Sequence, residues 1–299
     1  MNNKKEHLLI VDGMALLFRA FYATSVYGNF MINSKGVPTN AVNGFLKHLL
    51  ASVKHFQPTH VICCWDMGSK TYRSELFDHY KANRPEAPVE MLPQFDLAKK
   101  AVEAFNIPNV GLVGYEADDC IGTIAKLYSA EMNISILTGD RDLLQLLDEN
   151  IQVVLMQKGI GQYKVYTPDF FTEETGILPA HLVDVKGLMG DSSDNYPGVK
   201  GIGEKTAYKL IAKYKSIDVL LERLEELTKA QRSKIEQDLD MLHLSRRLAE
   251  IACDVPVECT LEEAVFDAEH SRAARLIEEM ELRGLHTFLS DALNSREAI

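Results

Sequence analysis

Three short apolar runs, at residues 7–11, 61–65 and 134–137, each lead into an aspartate: Asp12, Asp66 and Asp140. Runs of this length suit buried strands and are too short for helices. Between them lie segments with apolar residues at helical spacing. Residues 13–23 carry Leu16, Leu17, Ala20 and Phe21, residues 41–56 stop before Pro58, and 94–105 and 116–131 follow. The chain therefore reads as α/β. If the strands are parallel, the three aspartates meet at the carboxyl edge of one sheet, where open α/β sheets bind ligands. Residues 110–113, 151–156 and 163–166 read as further strands and 141–147 as a helix. From about Pro179 the pattern turns to helix, at 180–189, 204–214, 217–224, 228–250 and 269–293. These patterns divide the 299 residues into an α/β part, 1–180, and a helical part, 181–299.

More acids point to the same edge. Glu116, Asp118 and Asp119 open a helix, Asp142 follows Asp140 by two residues, and Asp191 and Asp194 sit three apart. One acid at a strand end or in a first helical turn is ordinary turn or capping chemistry. Nine that converge cannot all stay ionised alone, because each raises its neighbours' pKa. Divalent cations resolve that repulsion. With oxygen ligands only, and no His or Cys nearby in sequence, the set suits Mg²⁺, with Mn²⁺ able to substitute. Nine acids suit two or more ions, and a pair roughly 3.5–4 Å apart suits phosphodiester hydrolysis.

Directly after these acids, Gly198, Gly201 and Gly203 form a bare loop that opens a helix carrying Lys205, Lys209 and Lys213. Backbone N–H groups at a helix start bind phosphate, and lysines four apart extend such a site along one face. The net charge of −11 argues against nucleic acid when taken alone. Residues 198–215, however, hold five lysines against one acid, Glu204. The segment 68–93 is polar and holds Pro85, Pro88 and Pro93. It interleaves Lys70, Arg73, Lys81 and Arg84 with Tyr72, Phe77 and Tyr80, and is too long for an ordinary connection. The five cysteines lack zinc-like spacing and read as reduced, buried thiols. No apolar stretch reaches the length of a membrane span, and no signal-peptide core is present, so a cytoplasmic monomer is expected.

Together, LLIVDGMALLFRAFYA (8–23), CWD (64–66), YKANRP (80–85), GYEADDCIGTIA (114–125), TGDRDLLQLL (138–147) and LMGDSSDNYPGVKGIGEKTAYKLI (188–211) carry a family signature. The chain resembles the 5′-nucleases, which comprise the 5′→3′ exonuclease domain of bacterial DNA polymerase I, phage 5′ exonucleases and flap endonucleases. It is most similar to the stand-alone bacterial 5′→3′ exonucleases. The resemblance implies a largely parallel central sheet flanked by helices, followed by a helical DNA-binding part with a helix–hairpin–helix element. It also implies roles. Asp12, Asp66, Glu116 and Asp118 would hold a first metal, while Asp119, Asp140, Asp142, Asp191 and Asp194 would hold or support a second. Lys81, on a mobile arch at about 68–93, and Arg19 would reach the scissile phosphate, and Arg84 would add a phosphate contact. Tyr80 and Tyr22 would stack on a base, with a core position an equal alternative for Tyr22. The hairpin at 198–203 would bind duplex phosphate, together with a K⁺ ion. Trp65, Arg141 and Lys200 depart from the family's usual Phe, Lys and Pro, and no metal ligand is affected.

The expected activity is metal-dependent hydrolysis near the 5′ end of branched or nicked DNA, with RNA–DNA hybrids and primer or flap removal included. A non-catalytic binder of branched DNA would have no need of the acids. A metal-dependent ribonuclease would have no need of the lysine-bearing hairpin.

Overall fold

A computed structural model describes residues 6–25, 28, 30–267 and 270–297. Six strands form one sheet: β1 His7–Asp12, β2 His60–Cys64, β3 Asn109–Val110, β4 Asn133–Thr138, β5 Ile151–Met156 and β6 Tyr163–Tyr166. Their order is β3-β2-β1-β4-β5-β6, and all neighbours are parallel except β5 and β6. The chain first builds outward from β1 through β2 to β3, then returns to place β4 on the other side of β1. The strand order therefore reverses between β1 and β4, and a crevice opens there beyond their carboxyl ends.

Strand alternation sends side chains to two cores. On one face Leu9, Val11, Val61, Cys63, Leu137 and Val154 pack under α1 Gly13–Thr24 and α2 Asn40–Phe56. On the other, Leu8, Ile10, Ile62, Cys64, Ile134, Ile136 and Val153 line a second core. The remaining helices are, in chain order, α3 Tyr72–Leu76, α4 Leu92–Ala104, α5 Ala117–Tyr128, α6 Pro168–Thr175, α7 Leu182–Met189, α8 Glu204–Tyr214, α9 Ile217–Glu222, α10 Lys229–Gln237, α11 Leu239–Ala249, α12 Leu261–Ala264, α13 His270–Glu279 and α14 Leu285–Glu297. Of these, α4, α13 and α14 lie on the α2 side, while α5 and the helices from α7 to α11 cover the opposite face.

Several elements differ from the sequence reading. The 141–147 segment is a short 3₁₀ stretch at Asp142–Leu146. Residues 228–250 form two helices that meet at Asp238, whose backbone leaves the helical region at φ −110° and ψ 25° and whose carboxylate accepts the Lys200 N–H at 2.7 Å. Residues 269–293 also break in two, with Glu281 and Gly284 in left-handed backbone at φ 56° and 69°. Finally, α13 and α14 leave the helical part. Ala273, Ile277, Leu282, Leu285, Leu289 and Ala292 join the core beneath α2, and Lys54 of α2 pairs with Asp291 at 2.7 Å. No described helix is long and apolar enough to cross a membrane.

Candidate active site

The strand ends place the acids. Asp12 closes β1 and caps α1, where its Oδ1 accepts the Ala15 N–H at 2.9 Å and its Oδ2 the Thr138 hydroxyl at 2.7 Å. Asp66 follows β2 and accepts the Ala117 N–H at 2.7 Å, which ties the end of β2 to the start of α5. Glu116 and Asp119 cap α5 reciprocally. Asp140 follows β4 and accepts the Asp142 N–H at 2.8 Å. Asp191 and Asp194 come from the turn after α7, which closes through paired Asp191–Tyr196 backbone bonds of 2.8 and 3.0 Å.

Burial pushes the Asp12 carboxyl up to about 7, with Asp140 and Asp66 adding repulsion that the Ala15 N–H and Thr138 hydroxyl only partly offset. Burial also raises Asp118 well above the carboxylate range, reinforced by Asp140 and Asp12, and raises Asp66. Asp142 rises to about 6 from burial and the nearby Asp140, although Lys186 opposes the rise. Asp191 is half-buried, which alone would raise it, but the Lys186 ammonium and the Ser193 hydroxyl bring it down to about 2.

Cations of the chain stand among these acids. Lys186 bonds both Asp142, at 2.6 Å, and Asp191. Lys81, in left-handed backbone at φ 54°, puts its ammonium 2.7 Å from Glu116 Oε1 and 3.9 Å from Asp194. Arg84 reaches Asp194 at 2.6 Å. The 68–93 segment docks over the cleft through a small apolar cluster of Tyr80, Tyr196, Leu248 and Ala249, and through Asn83 and Asn195, which each bond a backbone carbonyl across the contact. As the side chains stand, no three His, Cys, Asp or Glu among the described residues converge on one point. The chemistry of the donor set still fits a hard divalent cation. It consists of oxygen atoms only, and several of its acids are held against their ionised form by burial and mutual repulsion. Lys81 and Lys186 would have to release the carboxylates to an ion.

Two expected residues sit differently. Asp119 is fully buried, and Arg73 grips both its oxygens at 2.7 and 2.8 Å. The N–H groups of Glu116 and Ala252 add bonds of 3.0 and 2.9 Å. With its lone pairs taken, Asp119 offers none to a metal as it stands, which favours the supporting half of the expectation that it holds or supports the second ion. Tyr80 is buried, its hydroxyl donating to Glu116 at 3.1 Å and Asp194 at 3.0 Å and its ring stacked near Tyr196, so it presents no face to a base here. Tyr22, by contrast, is 56% exposed, which sets aside the core alternative. Arg19 lines the crevice with Asp140, Asp142 and Asp191, and donates to the Gln157 carbonyl.

Beyond the acids, α7, the 190–203 loop and α8 form a helix–hairpin–helix. Gly198 is in left-handed backbone at φ 63°, and a Cβ there would lie 2.3 Å from the Gly190 nitrogen. The two legs of the loop thus touch backbone to backbone, which only glycine allows. Lys205 and Lys209 are exposed on α8.

Residues 7–176 match the 5′–3′ exonuclease N-terminal resolvase-like domain, and residues 177–272 the 5′–3′ exonuclease C-terminal SAM fold. The chain belongs to the 5′–3′ exonuclease family. It is 61% identical to the 5′–3′ exonuclease of Bacillus subtilis (strain 168) over 299 residues, covering all of both chains. It is 38% identical to DNA polymerase I of Bacillus caldotenax, covering 95% of this chain and 32% of that one. Against the larger polymerases, therefore, this exonuclease-family chain spans about a third of the relative's length. A bacteriophage T5 flap endonuclease, solved as a pseudo-enzyme–product complex with DNA and metal ions, shares the fold. Its TM-score is 0.67 at 20% identity, covering 98% of this chain and all of that one.

In this exonuclease-family fold, three site residues were given no role by the sequence, Arg73 standing there only among the basic residues of 68–93. Arg73 and Lys186 matter only through acids distant in sequence, and Tyr196 lies within the 188–211 motif without a role. The Tyr196 hydroxyl is buried with no hydrogen-bond partner.

Proposed function

We propose that this chain hydrolyses DNA with divalent metal ions, as a 5′→3′ exonuclease and flap endonuclease acting near the 5′ ends of nicked or branched DNA. One observation carries the reading above all: acids from β1, β2, β4, α5 and the α7–α8 hairpin gather beside the strand-order reversal, next to a phosphate-suited hairpin. Asp12, Asp66, Glu116 and Asp118 would hold one ion, and Asp140, Asp142, Asp191 and Asp194 a second. Mg²⁺ is the first choice and Mn²⁺ an alternative, on the oxygen-only donor set. When bound, such ions supply Lewis acidity at the phosphoryl group. Asp119 would act at one remove, fixing Arg73 and through it the position of Glu116.

Lys81 and Arg84 already lie on the acids and would turn to a phosphate bound there, placing positive charge where negative charge builds up. Arg19, which lines the crevice with Asp140, Asp142 and Asp191, would do the same from α1. Exposed Tyr22 is free to stack on an unpaired base. The hairpin and α8 would hold the duplex by its backbone, so recognition would follow shape rather than sequence.

The test is cleavage of a 5′-labelled flap duplex with Mg²⁺, with EDTA, and with Asp118→Ala or Asp140→Ala protein. Cutting near the junction is expected with Mg²⁺ only, with the variants losing about a thousandfold or more. Tight flap binding without any cutting would point instead to a structure-specific binder. Separately, Lys205→Ala or Lys209→Ala should weaken duplex binding on all sequences and flatten its salt dependence by about one unit. An unchanged slope removes that lysine from the interface.

A further inference from the structure

We propose that Lys234 is the hairpin's built-in cation, so that duplex binding has no preference for potassium. The proposal rests on the duplex-binding reading above.

A potassium ion at 198–203, as the resemblance implies, would need backbone carbonyls of the loop. The Gly201 carbonyl is already engaged, accepting the Lys234 ammonium at 2.9 Å. Gly201 is in left-handed backbone at φ 81°, and a Cβ there would come within 2.8 Å of Lys234 Nζ and 3.1 Å of Cε. The lysine tip thus lies against the bare Cα of Gly201, and the turn itself calls for glycine. A second bond stitches the same two elements together, because the Asp238 carboxylate just past α10 accepts the Lys200 N–H of the loop. Two bonds thus join α10 and the residue after it to the loop, and the one from Lys234 sets its ammonium at the mouth of the hairpin. A potassium ion on the same carbonyl would face the ammonium at close range, and like charges repel.

The ammonium has three donors and spends one on Gly201. Lys234 is exposed and makes no ion pair among the described residues, in contrast to Lys186, Lys81 and Lys213. Two residues beyond Gly201, Gly203 precedes α8 as an N-cap without a side-chain bond, leaving the Glu204 and Lys205 N–H groups for another acceptor. Exposed Lys200 and Lys205 flank this point. A fixed monovalent cation beside an uncapped helix start suits one backbone phosphate. A potassium ion gathers several oxygens at once and an ammonium donates directed hydrogen bonds, but both place one positive charge on a carbonyl oxygen, so the lysine can supply that charge without a separate binding equilibrium.

The experiment is flap-duplex binding by fluorescence anisotropy in EDTA, at equal ionic strength in potassium or sodium chloride, with wild-type and Lys234→Ala protein. Wild type is expected to bind equally in both salts. The variant should melt like wild type, bind about tenfold more weakly in sodium, and regain part of that loss in potassium. Tighter wild-type binding in potassium overturns the proposal. So does a variant that binds like wild type, or one whose loss potassium leaves untouched. If wild type fails to bind the flap in either salt, the fault lies with the nuclease reading itself.

Discussion

Replacing Arg73 with methionine is expected to cost about 3–5 kcal/mol of stability, the range for removing one partner of a buried ion pair. Arg73 is 2% exposed, and its charge compensates the fully buried Asp119. It also donates to the Leu248 carbonyl at 3.0 Å and the Glu250 carbonyl at 2.6 Å, so one guanidinium joins α5, the 68–93 segment and the stretch at the end of α11. Without it, a charged carboxylate and two carbonyls stay buried without their donor. Thermal melting should show the loss as a fall on the order of 10 °C. The paired variant Arg73→Met with Asp119→Leu should recover part of it, because the buried charge is gone, but the Glu116 and Ala252 N–H groups then lose their acceptor. A single-variant loss below about 1 kcal/mol would contradict the buried-pair argument.

The second large effect concerns pH. The ordinary Asp value is 3.8, and in the fold Asp12 rises to about 7 and Asp142 to about 6. Below about pH 4 the folded and unfolded chains both carry these protons, and the groups contribute no slope. Between pH 4 and 7 the folded chain keeps protons that the unfolded chain has released, so stability falls as pH rises and levels off above 7. Asp12 alone accounts for about 4 kcal/mol, at roughly 1.4 kcal/mol for each tenfold change in proton affinity. Asp66 and Asp118 act in the same direction. Asp191, lowered to about 2, acts oppositely but below this window, and His48, lowered by burial from 6.5 to about 4, opposes the fall within it without outweighing the acids together. With EDTA, the melting temperature should therefore fall between pH 5 and pH 8. Mg²⁺ competes with protons for the same oxygens, so it should raise the melting temperature at pH 8 by several degrees and at pH 5 by little. An EDTA profile that is flat across this range would mean that the acids are neither as buried nor as close as described.

The parts of the site visible in the sequence were those whose signal is local. Strand runs ending in Asp12, Asp66 and Asp140 announce themselves by periodicity, and Glu116 with its neighbours by their place at a helix start. The two misjudged helices, 228–250 and 269–293, have continuous helical patterns. Their breaks fall at Asp238 and at the left-handed Glu281, residues that carry no turn signal in the sequence. Asp119 looked like a third acid of one helical turn. Only the fold reveals that Arg73, 46 residues earlier, takes both its oxygens. Lys186 was hidden likewise, because nothing in its neighbourhood shows that Asp142 will arrive beside it.

The return of α13 and α14 to the first sheet face bears on how the molecule is made. Lys47 of α2 lies over the Phe288 ring, and the Ser34 N–H meets the Glu281 carboxylate, so partners 241 and 247 residues apart close one side of the molecule. During synthesis from the N-terminus, α2 and its apolar surface emerge long before the helices that cover them. The β1–β5 layer must wait with one flank open until nearly the whole chain has left the ribosome. That interval, rather than the finished structure, is where this protein is most exposed to aggregation, and where a chaperone would find its surface.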